Sequence, residues 1–199
     1  MRFHHPSSDR VVRVGYCLNL HAAETLADVR EAIEAFSVPL RDPLAPGGEA
    51  FGVGMYLAAG AARELCADPD ALGAMRSFLR GHRIDPFTFN AFPYGGFQED
   101  GLKARVYQPT WMEPERVDYT VDVARAAAGL VEVSGDEPRM VSISTHPGAY
   151  GADIKDRSGL RRCAEGMGRA LGELVRIEEE TGVRVVLSLE SEPDASARN

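Results

Sequence analysis

Six polar residues stand where they could do chemistry: His21, Asn90, Tyr94, His146, Glu190 and Glu192. Each follows an apolar run that reads as a strand. Histidine and carboxylate side chains are standard ligands of divalent ions, and a carboxylate left free can move a proton. A metal in such a place would polarise a carbonyl or activate water. Glu190 comes directly after Leu187-Ser188-Leu189, where a carboxylate has little structural reason to be, so it is a candidate metal ligand and catalytic base. His146, ahead of Pro147-Gly148, is a candidate second ligand or simply a turn residue. Glu192 is a catalytic candidate or a solvated carboxylate. His21, Asn90 and Tyr94 are candidates for substrate contact, with His21 as a turn or helix cap the plainer reading. Lys103, Arg105 and Trp111 lie in a long irregular stretch, 96–114. They could grip a phosphate or a sugar, or form a solvated lid around an aromatic anchor.

The elements that must position these groups alternate between two periods. Strand-like runs cover 11–20, 51–57, 84–92, 140–145 and 183–189. The last of them, Val-Arg-Val-Val-Leu-Ser-Leu, reads as a parallel strand buried on both faces. Its carboxylates would then sit at the C-terminal strand end, where barrel enzymes keep their chemistry. The glycines of Phe51-Gly52-Val53-Gly54 point to a close neighbour or a bend. Helical spacing follows each of the first four strands. Thr25 and Asp28 fit a capping box ahead of Leu26, Val29, Ile33 and Phe36, and Pro39, Pro43 and Pro46 should end that helix. Asp70 should cap the segment that stops at Gly81. Residues 117–131 and 158–180 read as two more helices. Strand and helix in alternation imply a parallel sheet with right-handed crossovers. A (β/α)8 TIM-barrel type and an open doubly wound sheet both fit. With about five strands and four helical segments the barrel would be incomplete. Neither GxGxxG nor GxxxxGK[ST] occurs, which lowers the weight of the nucleotide-binding open sheets.

Composition sets the bounds. The 199 residues are 44% hydrophobic and 26% charged, an ordinary globular profile with enough apolar content for one core. The formal net charge of −8 disfavours a phosphate backbone as partner, so no nucleic acid is expected. Cys17, Cys66 and Cys163 are scattered and odd in number, as expected of reduced thiols in a cytoplasmic protein. No run of about eighteen apolar residues occurs, so no membrane span is expected. Residues 1–10 read as a frayed start, 11–193 as the partial barrel and 194–199 as a tail.

At these positions the chain resembles the xylose-isomerase-like TIM-barrel superfamily, which holds sugar isomerases, epimerases and endonuclease IV. His146-Pro147-Gly148 is similar to its fourth strand ending, where endonuclease-IV-like members place a metal-binding histidine. Leu187-Ser188-Leu189-Glu190 is similar to its fifth, where a glutamate binds metal. Asn90-Ala91-Phe92-Pro93-Tyr94 is similar to its third, with Asn90 where a histidine ligand would stand. Within the superfamily the chain resembles most the metabolite-traffic proteins of ebo-type operons. That likeness rests on 16–21, 51–54, 89–95, 106–111, 142–149 and 189–193 taken together. It implies a role in making or moving a secondary metabolite.

The resemblance leads to one leading expectation: a sugar or cyclitol isomerase or epimerase with a divalent metal (Zn, Mn or Mg) at the strand C-terminal face. A non-catalytic metabolite-traffic or scaffold protein is the alternative, and an endonuclease-IV-like repair enzyme the third reading. Two ligands seldom hold a catalytic metal alone. A homo-oligomer or a partner chain completing the barrel is therefore expected.

Overall fold

The structure, a computed structural model, describes residues 2–4, 6–8, 11–96, 105–131, 139–192 and 194–196. Lys103 lies outside the described residues. Five strands form one parallel sheet in sequential order: β3 (Gly15–Cys17), β4 (Phe51–Tyr56), β5 (Ile84–Asn90), β6 (Arg139–Thr145) and β7 (Val183–Leu189). Helices α1 (Leu26–Ala32), α2 (Val38–Leu44), α3 (Ala59–Ala67), α4 (Pro69–Gly81), α5 (Pro114–Leu130) and α6 (Arg157–Thr181) flank it. The strand order has no reversal, unlike a doubly wound sheet with its switch point. Right-handed crossovers that always step the same way place their helices on one face.

Side-chain burial follows that layering. Val141, Ile143, Val183 and Val185 are buried, while Met140, Arg184, Val186 and Ser188 alternate with them and are exposed or half-buried at the far face. The run 183–189 is thus covered on one face, not on two. Its polar members Arg184 and Ser188 mark the open side, spaced an even number of residues apart. On the helix side, Val53, Met55, Phe89 and Ile143 meet Ile33, Leu65, Met75, Val123, Leu174 and Ile177 in one core.

Local chemistry explains the boundaries. Thr25 Oγ1 accepts the Asp28 N–H at 3.2 Å and Asp28 Oδ2 accepts the Thr25 N–H at 2.9 Å, a complete capping box. The helix runs past Pro39 and Pro43 and stops at Leu44, ahead of Pro46. A π-type turn, Ile33–Ser37, loosens it and joins α1 to α2 with the backbone helical throughout, and Pro39 sits just after that turn. Phe36 is exposed and stacks on His21 instead of entering the core. Asp68, rather than Asp70, caps α4, its carboxylate accepting the Asp70 N–H. At β4, Gly54 has a plain cause: a Cβ there would lie 3.3 Å from Cys17 Sγ, and the β4–β5 register shifts at the same point.

Arg2–His4 (β1) pairs antiparallel with Val11–Arg13 (β2). Asp194 to Ser196 return across the loop after β6. The Ser196 N–H is donated to the Ala149 carbonyl at 2.8 Å, and Ser196 Oγ accepts the Ala149 N–H at 3.1 Å. Among the described residues no helix is long and apolar enough to cross a membrane.

Candidate functional site

Register sets the ends of β6 and β7 side by side. Thr145 pairs with Leu189 at the last position of the β6–β7 ladder. The Glu190 N–H then reaches the Thr145 carbonyl at 2.9 Å, so the ladder runs one step further. His146 and Glu190 therefore leave adjacent strands side by side, with backbones about 4.8 Å apart as in any sheet. Asn90 ends β5 beside Ser144 in the same ladder.

His146 is completely buried. The Phe92 ring lies 5.1 Å and the Tyr107 ring 5.4 Å from it, centroid to centroid. Phe92, Tyr107 and Ala195 form one apolar cluster with Tyr150 against it. Neither imidazole nitrogen has a hydrogen-bond partner among the described residues. Burial, and next the nearby Arg116 guanidinium, push the His146 pKa down to about 2, so the ring is neutral at any physiological pH.

Arg116 organises the floor beside it. It is fully buried in the first turn of α5. Its Nε donates to the Pro109 carbonyl at 2.8 Å, and one terminal nitrogen donates to the Ala91 and Phe92 carbonyls at 3.0 and 2.7 Å. Among the described residues the other terminal nitrogen is buried without a partner, as is Thr145 Oγ1. Desolvation draws the Arg116 pKa down to about 10, which leaves it charged. Tyr119, one turn on, sets its single hydroxyl donor between the Leu57 and Pro93 carbonyls, 2.7 and 2.8 Å away, and so ties the chain after β4 and β5 to α5. These buried polar groups were not singled out from sequence. Arg116 had a signal: Arg116, Thr120, Val123 and Ala127 recur at the spacing of one buried helix face.

The other predicted residues take varied places. Trp111 is completely buried; its indole N–H goes to the His146 carbonyl at 2.9 Å, and its backbone N–H to that of Gly148. It fixes the loop after β6, and α6 approaches it so closely at Gly166 that a Cβ there would overlap the Trp111 carbonyl oxygen. Asn90 is buried, with Oδ1 accepting the Phe92 N–H at 2.9 Å. Tyr94 is half-buried, edge-on to Tyr119. Glu190 and Glu192 are half-buried at the end of β7. Arg105 is exposed at the start of a short 3-10 turn. His21 lies beyond β3, three strands from His146, with Nε2 2.8 Å from the Tyr16 hydroxyl and its ring 3.7 Å from that of Phe36.

Among the described residues no group of three or more His, Cys, Asp and Glu side chains gathers to hold an ion. Asn90 spends its oxygen on the backbone, and a buried guanidinium beside His146 repels a second cation.

Buried neutral histidine has a consequence for stability. The unfolded ring takes up a proton near pH 6.5 and the folded ring does not until far lower, so the unfolded state binds more protons in between. Stability contributed by neutral His146 is full above about pH 6.5 and falls below it by up to about 1.4 kcal/mol per pH unit. Urea midpoints at pH 7.5, 6.0 and 5.0 should fall along that slope, and His146→Leu should flatten it relative to the parent.

Comparison with models of protein families gives no match, and no curated protein matches the chain.

Proposed function

We propose that the protein is a barrel of the xylose-isomerase-like type that binds a small polyhydroxylated metabolite, sugar or cyclitol, at the C-terminal ends of β5, β6 and β7. Its reading as an isomerase or epimerase rests on one observation: His146, buried and held neutral with both ring nitrogens unpartnered, leaves β6 next to Glu190. Isomerisation of a hydroxy-carbonyl compound needs a base to take the proton beside the carbonyl and a donor to hold the oxygen as charge grows there. A carboxylate and a neutral imidazole N–H are suited to those two parts. Glu190 takes the proton; the imidazole N–H, with the spare nitrogen of Arg116, stabilises the oxygen. The ring has no exposed surface, so substrate reaches it only when Tyr107 leaves its place.

The test is incubation with aldoses, ketoses and cyclitol ketones in deuterated water. Incorporation of deuterium next to the carbonyl is expected, and Glu190→Gln should lower its rate by about 10²-fold or more, the scale of a lost general base. Incorporation by no member of the panel overturns the catalytic reading. One observation favours the non-catalytic alternative, a metabolite carrier or scaffold: the complete enclosure of His146 by Phe92 and Tyr107. Saturable binding of a panel compound without deuterium incorporation is its signature.

A further inference from the structure

Arg116 is a buried charge among neutral partners. It is completely enclosed in the first turn of α5. A guanidinium has five N–H groups, and three are used here, on the main-chain carbonyls of Pro109, Ala91 and Phe92. The remaining two belong to Nη2, which has no partner among the described residues. The Tyr119 ring, its centroid 5.4 Å from the guanidinium carbon, supplies a partial counter-charge. The carboxylate that acts on Arg116 through space is that of Glu113, and its Oε2 already accepts the Thr110 N–H at 2.6 Å. Among the described residues no carboxylate forms an ion pair with Arg116. A charge withdrawn from water with no opposite charge beside it is far costlier than a neutral polar group in the same place. Holding three loop carbonyls accounts for three of the donors; it accounts neither for the other two nor for the charge.

Strand geometry puts this guanidinium at the C-terminal end of the sheet. The Ala91 N–H is donated to the Ser144 carbonyl at 2.8 Å, which continues the β5–β6 ladder past Asn90. In a parallel strand the N–H and the carbonyl of one residue turn to the same neighbour, so the Ala91 carbonyl is aimed at the chain leaving β6. Arg116 Nη1 donates to it at 3.0 Å and to the Phe92 carbonyl at 2.7 Å. The guanidinium therefore stands as a wedge between the ends of β5 and β6, beside His146. Its field is felt there: after burial it is the second cause of the lowered His146 pKa. His146 is itself completely buried, and neither ring nitrogen has a partner among the described residues. Two buried polar side chains from different elements thus lie side by side with hydrogen-bonding groups left over.

We infer that the ligand of the strand-end site is a sugar acid, a polyhydroxylated 2-oxo or 2-hydroxy carboxylate whose charged group neutralises Arg116. This rests on the strand ends being the ligand site, and it narrows the ligand from neutral sugars and cyclitols to their acids. One Nη2 hydrogen meets the carboxylate and the other meets the oxygen on the carbon next to it, so the two groups sit on neighbouring carbons. A carboxylate on a guanidinium makes the stronger, charge-assisted kind of hydrogen bond, and the planar fork suits it. Neutral imidazole adds one donor nitrogen and one acceptor, which fit an oxo or hydroxyl oxygen of the same ligand. The carboxylate enters with the rest of the ligand at the place Tyr107 vacates. A neutral sugar would fill the same space and leave the guanidinium without an opposite charge.

Calorimetric titration of the 199-residue chain compares gluconate with gluconamide, the same polyol with a neutral amide in place of the carboxylate. Gluconate should bind at least about tenfold tighter, the scale of a hydrogen bond that gains a charge. Arg116→Met, where it folds, should bring the ratio of the two affinities close to one; the comparison in the parent holds whether or not that variant folds. Equal affinity of the parent for acid and amide, binding of neither, or a ratio that survives in Arg116→Met overturns the proposal. So does saturable chloride binding that gluconate fails to displace, the mark of a resident inorganic counter-ion. Gluconate bound, with no deuterium entering 2-ketogluconate or any neutral sugar, leaves the sugar acid standing and removes the isomerase reading. Deuterium entering fructose, with no preference for acid over amide, does the reverse.

Discussion

His146→Leu is expected to leave the protein folded and at least as stable as the parent, while binding or turnover at the strand ends falls by about 100-fold. Leucine is close to histidine in size, so the space between Phe92 and Tyr107 stays filled. The bond that matters for the loop, from the Trp111 indole, goes to the main-chain carbonyl of residue 146 and survives. What disappears is a pair of buried ring nitrogens without partners among the described residues, each such group costing about 1–3 kcal/mol in a folded protein. A gain in stability coupled to a loss of binding is the mark of a polar group kept for a ligand. Urea unfolding at pH 7.5 and calorimetry with the best panel compound measure the two sides. A destabilisation above about 1 kcal/mol would show that the ring is satisfied as it stands, and the site would lose its main support.

How far this could be read without coordinates depended on the range of the interaction. The capping box of Thr25 and Asp28 spans one turn, and it was legible down to the partners. So were the seven residues of β7 and the order of the βα units, because period and punctuation are local. That β6 and β7 end side by side, with the Glu190 N–H on the Thr145 carbonyl, needed only the parallel order and similar strand lengths, and it follows from them. Burial of β7 was misread because five of its seven residues are Val or Leu; the even spacing of Arg184 and Ser188 was the better guide. Pro39 and Pro43 were read as breakers because a π-type turn upstream is invisible in composition. The enclosure of His146 was beyond sequence altogether. Phe92, Tyr107 and Ala195 come from three separate loops, and nothing in their spacing joins them. Trp111 illustrates the same limit: its partner is a carbonyl 35 residues away.

Arg116 also decides how the loops that enclose His146 hold their shape. Arg116→Met is expected to destabilise the protein by about 3–5 kcal/mol, the size of removing one member of a buried, bonded charge site. Methionine keeps the apolar stem and removes three donated hydrogen bonds, leaving the carbonyls of Ala91, Phe92 and Pro109 without them. Those carbonyls belong to the two loops that supply Phe92 and lead from Tyr107, so the enclosure loosens along with the core. For a chain of this length the loss should lower Tm by about 6–20 °C. Arg116→Lys should recover little, since one ammonium group cannot span carbonyls that a planar fork reaches from two sides. The guanidinium is also the second cause of the low His146 pKa, after burial. In Arg116→Met the ring should therefore accept a proton at a higher pH than in the parent while staying below its ordinary value, and the acid limb of the stability profile should shift upward with it. Arg116→Met combined with His146→Leu should show no such shift, and the two stability effects should fail to add because the residues share the Phe92 loop. Strict additivity, with an unchanged acid limb in the single variant, would mean that Arg116 holds the loops and nothing more.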